Sequence, residues 1–402
     1  MSAIMDVSDQ PEGSVSDAGR YALGLTEPGS HVLIREAGRG DLVIGPAGMG
    51  KKADLHVAPD AAIHWPALDP YATPAGSPWP RHIGYCGNDA GFIGWSERRP
   101  IEQFSWTPAF GDARRVDAGA ARIQTLQLRL EEGGGHLDMT LPPGCALHLF
   151  GDLSRLTADG EPPGSLTLAP TLGRRPGMAP YVLPDLGLLQ QASSLSLDGG
   201  PMGQAISLQG IERFPALTQL MLWGRFADWD ALLRLPHLRA LEIRFTPDLQ
   251  GLPPLDSWPL LDRFIAYNVD EAAGKRLRAQ MKARGQQRAW TSHASVSQLR
   301  KPEWWQREYG RPFSGWSGRQ AKAANAAYDA ARDALDGATD VEAAQAAITA
   351  FAAHFNQMKG IETPERDDIG EAVWQFSQRD SALRLGVTEE QAQRWFDAVR
   401  DY

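Results

Sequence analysis

Four stretches of this sequence carry residues whose types and spacing could do chemistry. Gly45-Pro46-Ala47-Gly48-Met49-Gly50-Lys51 has the spacing of a phosphate-binding loop, in which backbone amides and a lysine cradle phosphates. The next residue is Lys52, where magnesium would need a Ser or Thr hydroxyl. Ala53 to Pro59 reads as a strand ended by proline, not as the helix whose N-terminus would face the phosphates. An ordinary turn is the reading there. His56, His64, His82 and Cys86 are metal-ligand types in no metal-site spacing, and neither Cys86 nor Cys145 has a recognisable catalytic motif around it. The acidic phrase Glu362 to Asp368 falls at a helix start, where exposed amides favour carboxylates. No catalytic constellation emerges, so the expectation is a protein without cofactor or metal that is not an enzyme.

The fourth stretch is the most informative. From Lys275 to Lys322 twelve Lys and Arg residues face only Glu303 and Glu308, about +10 on a chain whose formal charge is −9. Trp290, Trp304, Trp305, Tyr309, Phe313 and Trp316 are interleaved with them. Cations alternating with aromatics can bind single-stranded nucleic acid by phosphate contact and stacking, with Arg300, Lys301, Trp304, Trp305, Arg307 and Arg311 as the contacts. The same composition can dock the segment onto the acidic remainder of the chain with its aromatics buried.

These residues belong to a chain of 402, enough for two or three domains. It is 43% hydrophobic and 22% charged, an ordinary globular composition. Net negative charge argues against general affinity for nucleic acid or anionic membranes. Two distant cysteines support no disulfide framework. The polar, acidic start lacks the apolar run of a signal peptide, and no stretch is long and apolar enough for a membrane span. The expectation is a cytoplasmic protein with no membrane partner.

The elements that must position any site are organised by an apolar phrase. Phe214-Pro215-Ala216-Leu217-Thr218-Gln219-Leu220-Met221-Leu222 returns as Leu235 to Ile243 and as Trp258 to Ala266, with Pro215, Pro236 and Pro259 spaced by 21 and 23 residues. A weaker copy ends in Leu195-Ser196-Leu197. In each, apolar residues fall in the order L-x-x-L-x-L. On an extended strand the last two point to one face, and the residue between them to the other. Leu220 and Leu222, Leu241 and Ile243, and Phe264 and Ala266 would face inward. The open face would then carry one row of Ser196, Met221, Glu242 and Ile265 and another of Asp198, Trp223, Arg244 and Tyr267. Asp198, Met221, Trp223, Glu242, Arg244, Ile265 and Tyr267 are thus the candidate partner-binding residues, a composition suited to an interface core.

That spacing resembles leucine-rich repeats over about 85 residues. It departs from the family pattern where Asn usually follows the final Leu by three, because Gly200, Arg225 and Thr246 stand there. The resemblance implies a short, irregular array of stacked strands that binds a protein.

The flanks complete the expected organisation. Residues 1–20 are polar and read as a flexible tail, and 21–120 hold brief apolar phrases between Gly and Pro, read as a β-rich N-terminal domain. Strict alternation at Leu126 to Leu130, Leu137 to Leu141, Leu147 to Leu149 and Leu166 to Leu168 fits either hairpins or solenoid turns leading into the repeat, so 121–269 is taken as one strand-stacked region. The basic segment 270–318 connects it to a helical domain, 319–402, whose starts are signalled by Thr339, Thr363-Pro364 and Thr388. The expected fold is α+β and multidomain: a β-rich N-terminal part, a short leucine-rich-type β solenoid, then an all-α helical bundle. The tail, with Phe355 to Thr363 before an acidic helix, resembles those of uncharacterised bacterial leucine-rich repeat proteins of the gliding-motility or toxin-immunity type. That resemblance implies an immunity protein sequestering a bacterial toxin, one whose basic surface an acidic chain would attract.

Overall fold

The structure is a computed structural model that describes residues 3–173, 177–313 and 316–401. It divides into two compact units, Met1–Arg300 and Lys301–Tyr402.

Twelve strands form the frame of the first unit. From one edge to the other they are Leu55–His56, Asp41–Gly45, His82–Cys86, Ile101–Thr107, Ile123–Leu130, Ala146–Gly151, Ser165–Pro170, Ser194–Asp198, Gln219–Trp223, Ala240–Thr246, Arg263–Asp270 and Ala294–Arg300. Every neighbouring pair is parallel. Apart from the exchange of the first two, spatial order follows chain order.

This overturns the expected fold class. Most of the strands assigned to a β-rich N-terminal domain and to a short leucine-rich-type solenoid belong to one large parallel sheet, and with its helices the chain is an α/β protein. The reason is physical: an alternating apolar pattern reports which face is buried, and that pattern is the same for parallel and antiparallel neighbours and for one sheet or two. The irregular connections between residue 46 and residue 81 also hid the recurrence of the earliest strands.

Inward residues pack the sheet's core. Leu220, Leu222, Leu241, Ile243, Phe264 and Ala266 are all buried, as are Phe214 and Leu217 ahead of the strand. Short 3-10 turns, Ile211–Arg213, Trp229–Arg234 and Leu255–Ser257, lead into successive strands. Toward the N-terminal end the core is aromatic: Phe92 stacks on Phe104 at 3.9 Å, and Trp65 meets Tyr85, Trp95 and Phe104 at 5.3 to 5.8 Å. Such pairs add about 0.5 to 1.5 kcal/mol each beyond their buried area. A second, three-stranded parallel sheet is made by Arg114–Asp117, Leu137–Thr140 and Leu156–Asp159. Ile4–Asp6, within the stretch read as a tail, pairs in parallel with Gly19–Leu23, which pairs antiparallel with His31–Arg35.

The basic connecting stretch opens with a helix and goes on to a strand. Asp270 caps the helix Glu271–Gln287 by accepting from the Ala273 amide at 2.8 Å, and Ala294–Arg300 then closes the sheet as its edge strand. The boundary between units falls at Arg300.

The second unit contains the helices Pro302–Tyr309, Gly318–Asp336, Val341–His354, Thr363–Ser377, Asp380–Arg384 and Glu389–Val399. Their shared core includes Phe313, Tyr328, Ile348, Phe351, Phe355, Val373, Phe376 and Phe396. Thr388 and Gln391 form a reciprocal capping box, as do Glu362 and Glu365. At the helix from Val341 the cap is Asp340, not Thr339. Among the described residues no helix is long and apolar enough to cross a membrane.

Candidate functional site

The face of the large sheet opposite its core is the candidate site, and strand register decides which side chains meet there. Ser196 pairs with Met221, Met221 with Glu242 and Glu242 with Ile265, so these four form one row across the sheet. Asp198, Trp223, Arg244 and Tyr267 form the next. All seven candidate partner-binding residues therefore share this face. Glu242 and Ile265 are nearly covered at 7% and 9% exposure, and the other five are half-buried. The second row lies toward the carboxyl ends of the strands.

One member of the face escaped the sequence. Strict alternation would turn Phe245 inward after Arg244, but its φ is +52°, in the left-handed region. The reversal leaves both Arg244 and Phe245 half-buried on the open side. Phe245 sits between Trp223, 5.5 Å away, and Tyr267, 5.8 Å away, completing a three-ring ladder across three strands. Asn268 at +50° and Gln298 at +55° occupy the corresponding places on the next two strands, and Gly224 at +107° on the preceding one. Glycine and asparagine adopt this conformation readily. A bulky phenylalanine held there is strained by about 1 to 2 kcal/mol, and such strain gathers at functional positions.

The polar centre of the face is Glu242. Its Oε1 accepts from Arg263 Nε and Nη2 at 2.9 and 2.7 Å, and its Oε2 from Arg244 Nε and Nη2 at 3.1 and 2.9 Å. Burial alone would raise its pKa, but the hydrogen bonds and charges of Arg263 and Arg244 outweigh it and hold the carboxyl below its ordinary value. The cluster carries one net positive charge, and the two guanidinium planes are fixed against the carboxylate. Burial pushes Asp198 the other way, above the usual carboxylate range, and lowers His148 further along the face. There Arg129 lies 4.7 Å from the centre of the Phe150 ring.

A depressed carboxyl has a definite sign in acid. Glu242 contributes stability above its unfolded-state pKa, and this is lost as pH falls through the lower folded value. Glu242→Gln should cost about 1 to 2 kcal/mol at neutral pH, an intermediate figure because the carboxylate is covered while its arginines are about a third exposed. Urea titrations at neutral pH and near pH 3 check this: the gap between wild type and variant should close in acid, and a gap that persists would assign the loss to packing.

The alternative nucleic-acid set is divided between the two units. Arg300, in the first unit, donates to Asn268 Oδ1 at 2.7 Å. Lys301, Trp304, Trp305 and Arg311 belong to the second. Lys301 is exposed, Trp304 packs edge-on against Trp305 at 4.8 Å, and Trp305 is buried. Arg311 is drawn to Asp329 at 2.6 Å and Asn325 at 3.0 Å. The side chain of Arg307 lies outside the described residues. Several other cations of the segment bind backbone: Arg278 to the Val296 carbonyl, Arg288 to that of Pro259, and Arg284 to three at once.

The glycine phrase Gly45 to Lys51 forms a 3-10 turn, Ala47–Lys52, broken at Gly50 and followed by the strand Leu55–His56, so no helix N-terminus is presented to a phosphate there. Among the described residues, His56, His64, His82 and Cys86 included, no group of three or more His, Cys, Asp and Glu could hold a metal ion. Comparison with known proteins finds no matching family model, no matching curated protein and no matching solved structure.

Proposed function

We propose that this chain is a binding protein that holds a protein partner against the open face of its parallel sheet. The observation that carries this reading is the ladder Trp223, Phe245 and Tyr267, set beside the fixed guanidiniums of Arg244 and Arg263 and the apolar Met221 and Ile265. Tryptophan, tyrosine and arginine dominate the energetically decisive centres of protein interfaces, and aromatic residues and methionine are enriched there. Parallel α/β sheets also serve as enzyme scaffolds, so the argument rests on this constellation and not on the fold.

The partner class we propose is a basic toxin, with this chain acting in the cytoplasm as the immunity protein that covers it. Blocking a toxin needs only a complementary surface, without chemistry. A formal charge of −9 would accelerate encounter with a basic partner and weaken it with wrong, acidic ones.

Affinity purification from the native organism tests this, comparing wild type with a folded Trp223→Ala/Tyr267→Ala variant. One stoichiometric basic protein should accompany wild type, associate more slowly as salt rises, and be lost from the variant. A partner retained by the variant would move the interface elsewhere.

A further inference from the structure

His56, Gly45 and Cys86 stand side by side in one row of the large sheet, near the edge formed by Leu55–His56. Gly45 pairs with His56, and the pairing of Ile44 with Tyr85 sets Gly45 beside Cys86. Leu55, Ile44 and Tyr85 are buried in the core, so the residues that follow them turn to the open face. His56 is exposed there and Cys86 half-buried. With glycine between them, the row is one side chain short.

The turn after Gly45 fills that gap with a thioether. The Met49 amide donates to the Pro46 carbonyl at 2.9 Å, which folds the chain back over its own strand. A Cβ on Gly45 would collide with Met49 Sδ and lie 3.2 Å from Cys86 Cβ, so the sulfur occupies the place of the missing side chain, next to Cys86. This contact accounts for the glycine at 45, which the spacing of a phosphate-binding loop does not. His56 and Cys86 are two strand spacings apart, about 9.6 Å between their Cα atoms, a span that an imidazole and a thiolate can close across one metal ion. The hydrogen bond at His56 engages its carbonyl, which accepts from His31 Nε2 at 2.9 Å, and among the described residues both ring nitrogens are left available.

His56 and Cys86 alone are too few to hold a metal. Met49 adds a third donor, and one that discriminates. Thiolate and thioether together select copper(I), whereas zinc takes thiolate, imidazole and carboxylate, and calcium and magnesium take oxygen. We propose that Cys86, Met49 and His56 form a three-coordinate copper(I) site. Cys86 binds as the thiolate, its proton passing to water as the copper–sulfur bond forms, while Met49 Sδ and one His56 nitrogen donate the other two electron pairs; no electron is transferred. Five strands lie between those of Cys86 and Trp223, so the site is independent of a protein held on the aromatic ladder.

The metal alone tests this on the full chain, kept reduced and free of oxygen. Wild type should withhold one equivalent of copper(I) from bicinchoninate and gain an ultraviolet thiolate-to-copper band. Its affinity should rise with pH, because binding releases the thiol proton. Cys86→Ser should lose both the equivalent and the band, while Cys145→Ala, in the core, should leave copper binding unchanged. Met49→Leu and His56→Gln each remove one donor at a half-buried or exposed position, and each should weaken binding at least about tenfold, no less than the loss of an outer-shell partner. Gly45→Ala keeps all three donors but puts a methyl group where Sδ sits, and should weaken binding as well. Should that variant fail to fold, the three donor variants carry the test. The proposal is overturned if wild type withholds no copper, if Cys86→Ser withholds as much, or if Met49→Leu, His56→Gln or a folded Gly45→Ala binds as tightly as wild type.

Discussion

Arg284→Met should destabilise the first unit by about 2 to 4 kcal/mol, from one buried carbonyl left without a donor and two that lose a charge-assisted one. Arg284 projects from the helix Glu271–Gln287 and is only 6% exposed. Its Nη2 donates to the carbonyls of Trp258 and Leu261 at 3.0 and 2.8 Å, and its Nη1 to that of Leu255 at 3.1 Å. Asp256 approaches at 3.4 Å, and the Trp290 ring centre lies 5.3 Å from the guanidinium. One side chain thus satisfies three acceptors in the turn that feeds the strand Arg263–Asp270.

Methionine keeps much of the stem's volume but leaves the Leu261 carbonyl without its donor, while the carbonyls of Leu255 and Trp258 keep the backbone amides of Trp258 and Leu261 at 3.5 and 3.1 Å. Each buried acceptor so orphaned costs about 1 to 3 kcal/mol, reduced where water can reach it. Arg284→Lys should fall between, because one compact ammonium cannot span three carbonyls held by a planar fork. Urea unfolding, with hydrogen exchange to locate the loss within 255–261, measures this. An unchanged midpoint for Arg284→Met would mean that the turn's own backbone hydrogen bonds suffice without the guanidinium.

Arg284 also shows what the basic segment's composition could and could not say. Charge and aromatic counts are blind to whether an arginine meets phosphate or a carbonyl, since both are acceptors. The deciding fact is the helix that begins at Asp270, which carries Arg284 back to the turn it satisfies. By contrast, the burial of Leu220 with Leu222 and of Leu241 with Ile243 follows directly from their two-residue period. Direction and continuity of the sheet do not follow, because they depend on what the chain does between strands.

The ladder's middle ring was hidden for a related reason. Alternation assumes that every residue is extended, and a left-handed residue at position 245 shifts the parity by one. A signal existed: two places after the last buried apolar residue stand Gly224 in one copy, after Leu222, and Asn268 in another, after Ala266. Both types tolerate positive φ, and Phe245 occupies the same place after Ile243.

The largest effect on binding is expected on the ladder itself. Interface centres commonly lose about 2 kcal/mol or more when an aromatic anchor is truncated, so Trp223→Ala with Tyr267→Ala should weaken the partner by at least about 100-fold, allowing for non-additivity between side chains bridged by one ring. Phe245→Gly separates binding from folding. Glycine relieves about 1 to 2 kcal/mol of left-handed strain, while the lost ring contacts and the freer unfolded chain offset that gain, so stability should change by less than about 1 kcal/mol. Phe245→Ala keeps the strain and loses the same ring, and should be the less stable of the two. Titrating the purified partner against each variant by calorimetry, beside urea unfolding, reads both quantities. If the face works as proposed, Phe245→Gly folds like wild type and binds about tenfold or more weakly. Should it bind normally, the strained phenylalanine serves the sheet rather than the partner, and the interface must be centred on Trp223 and Tyr267 alone.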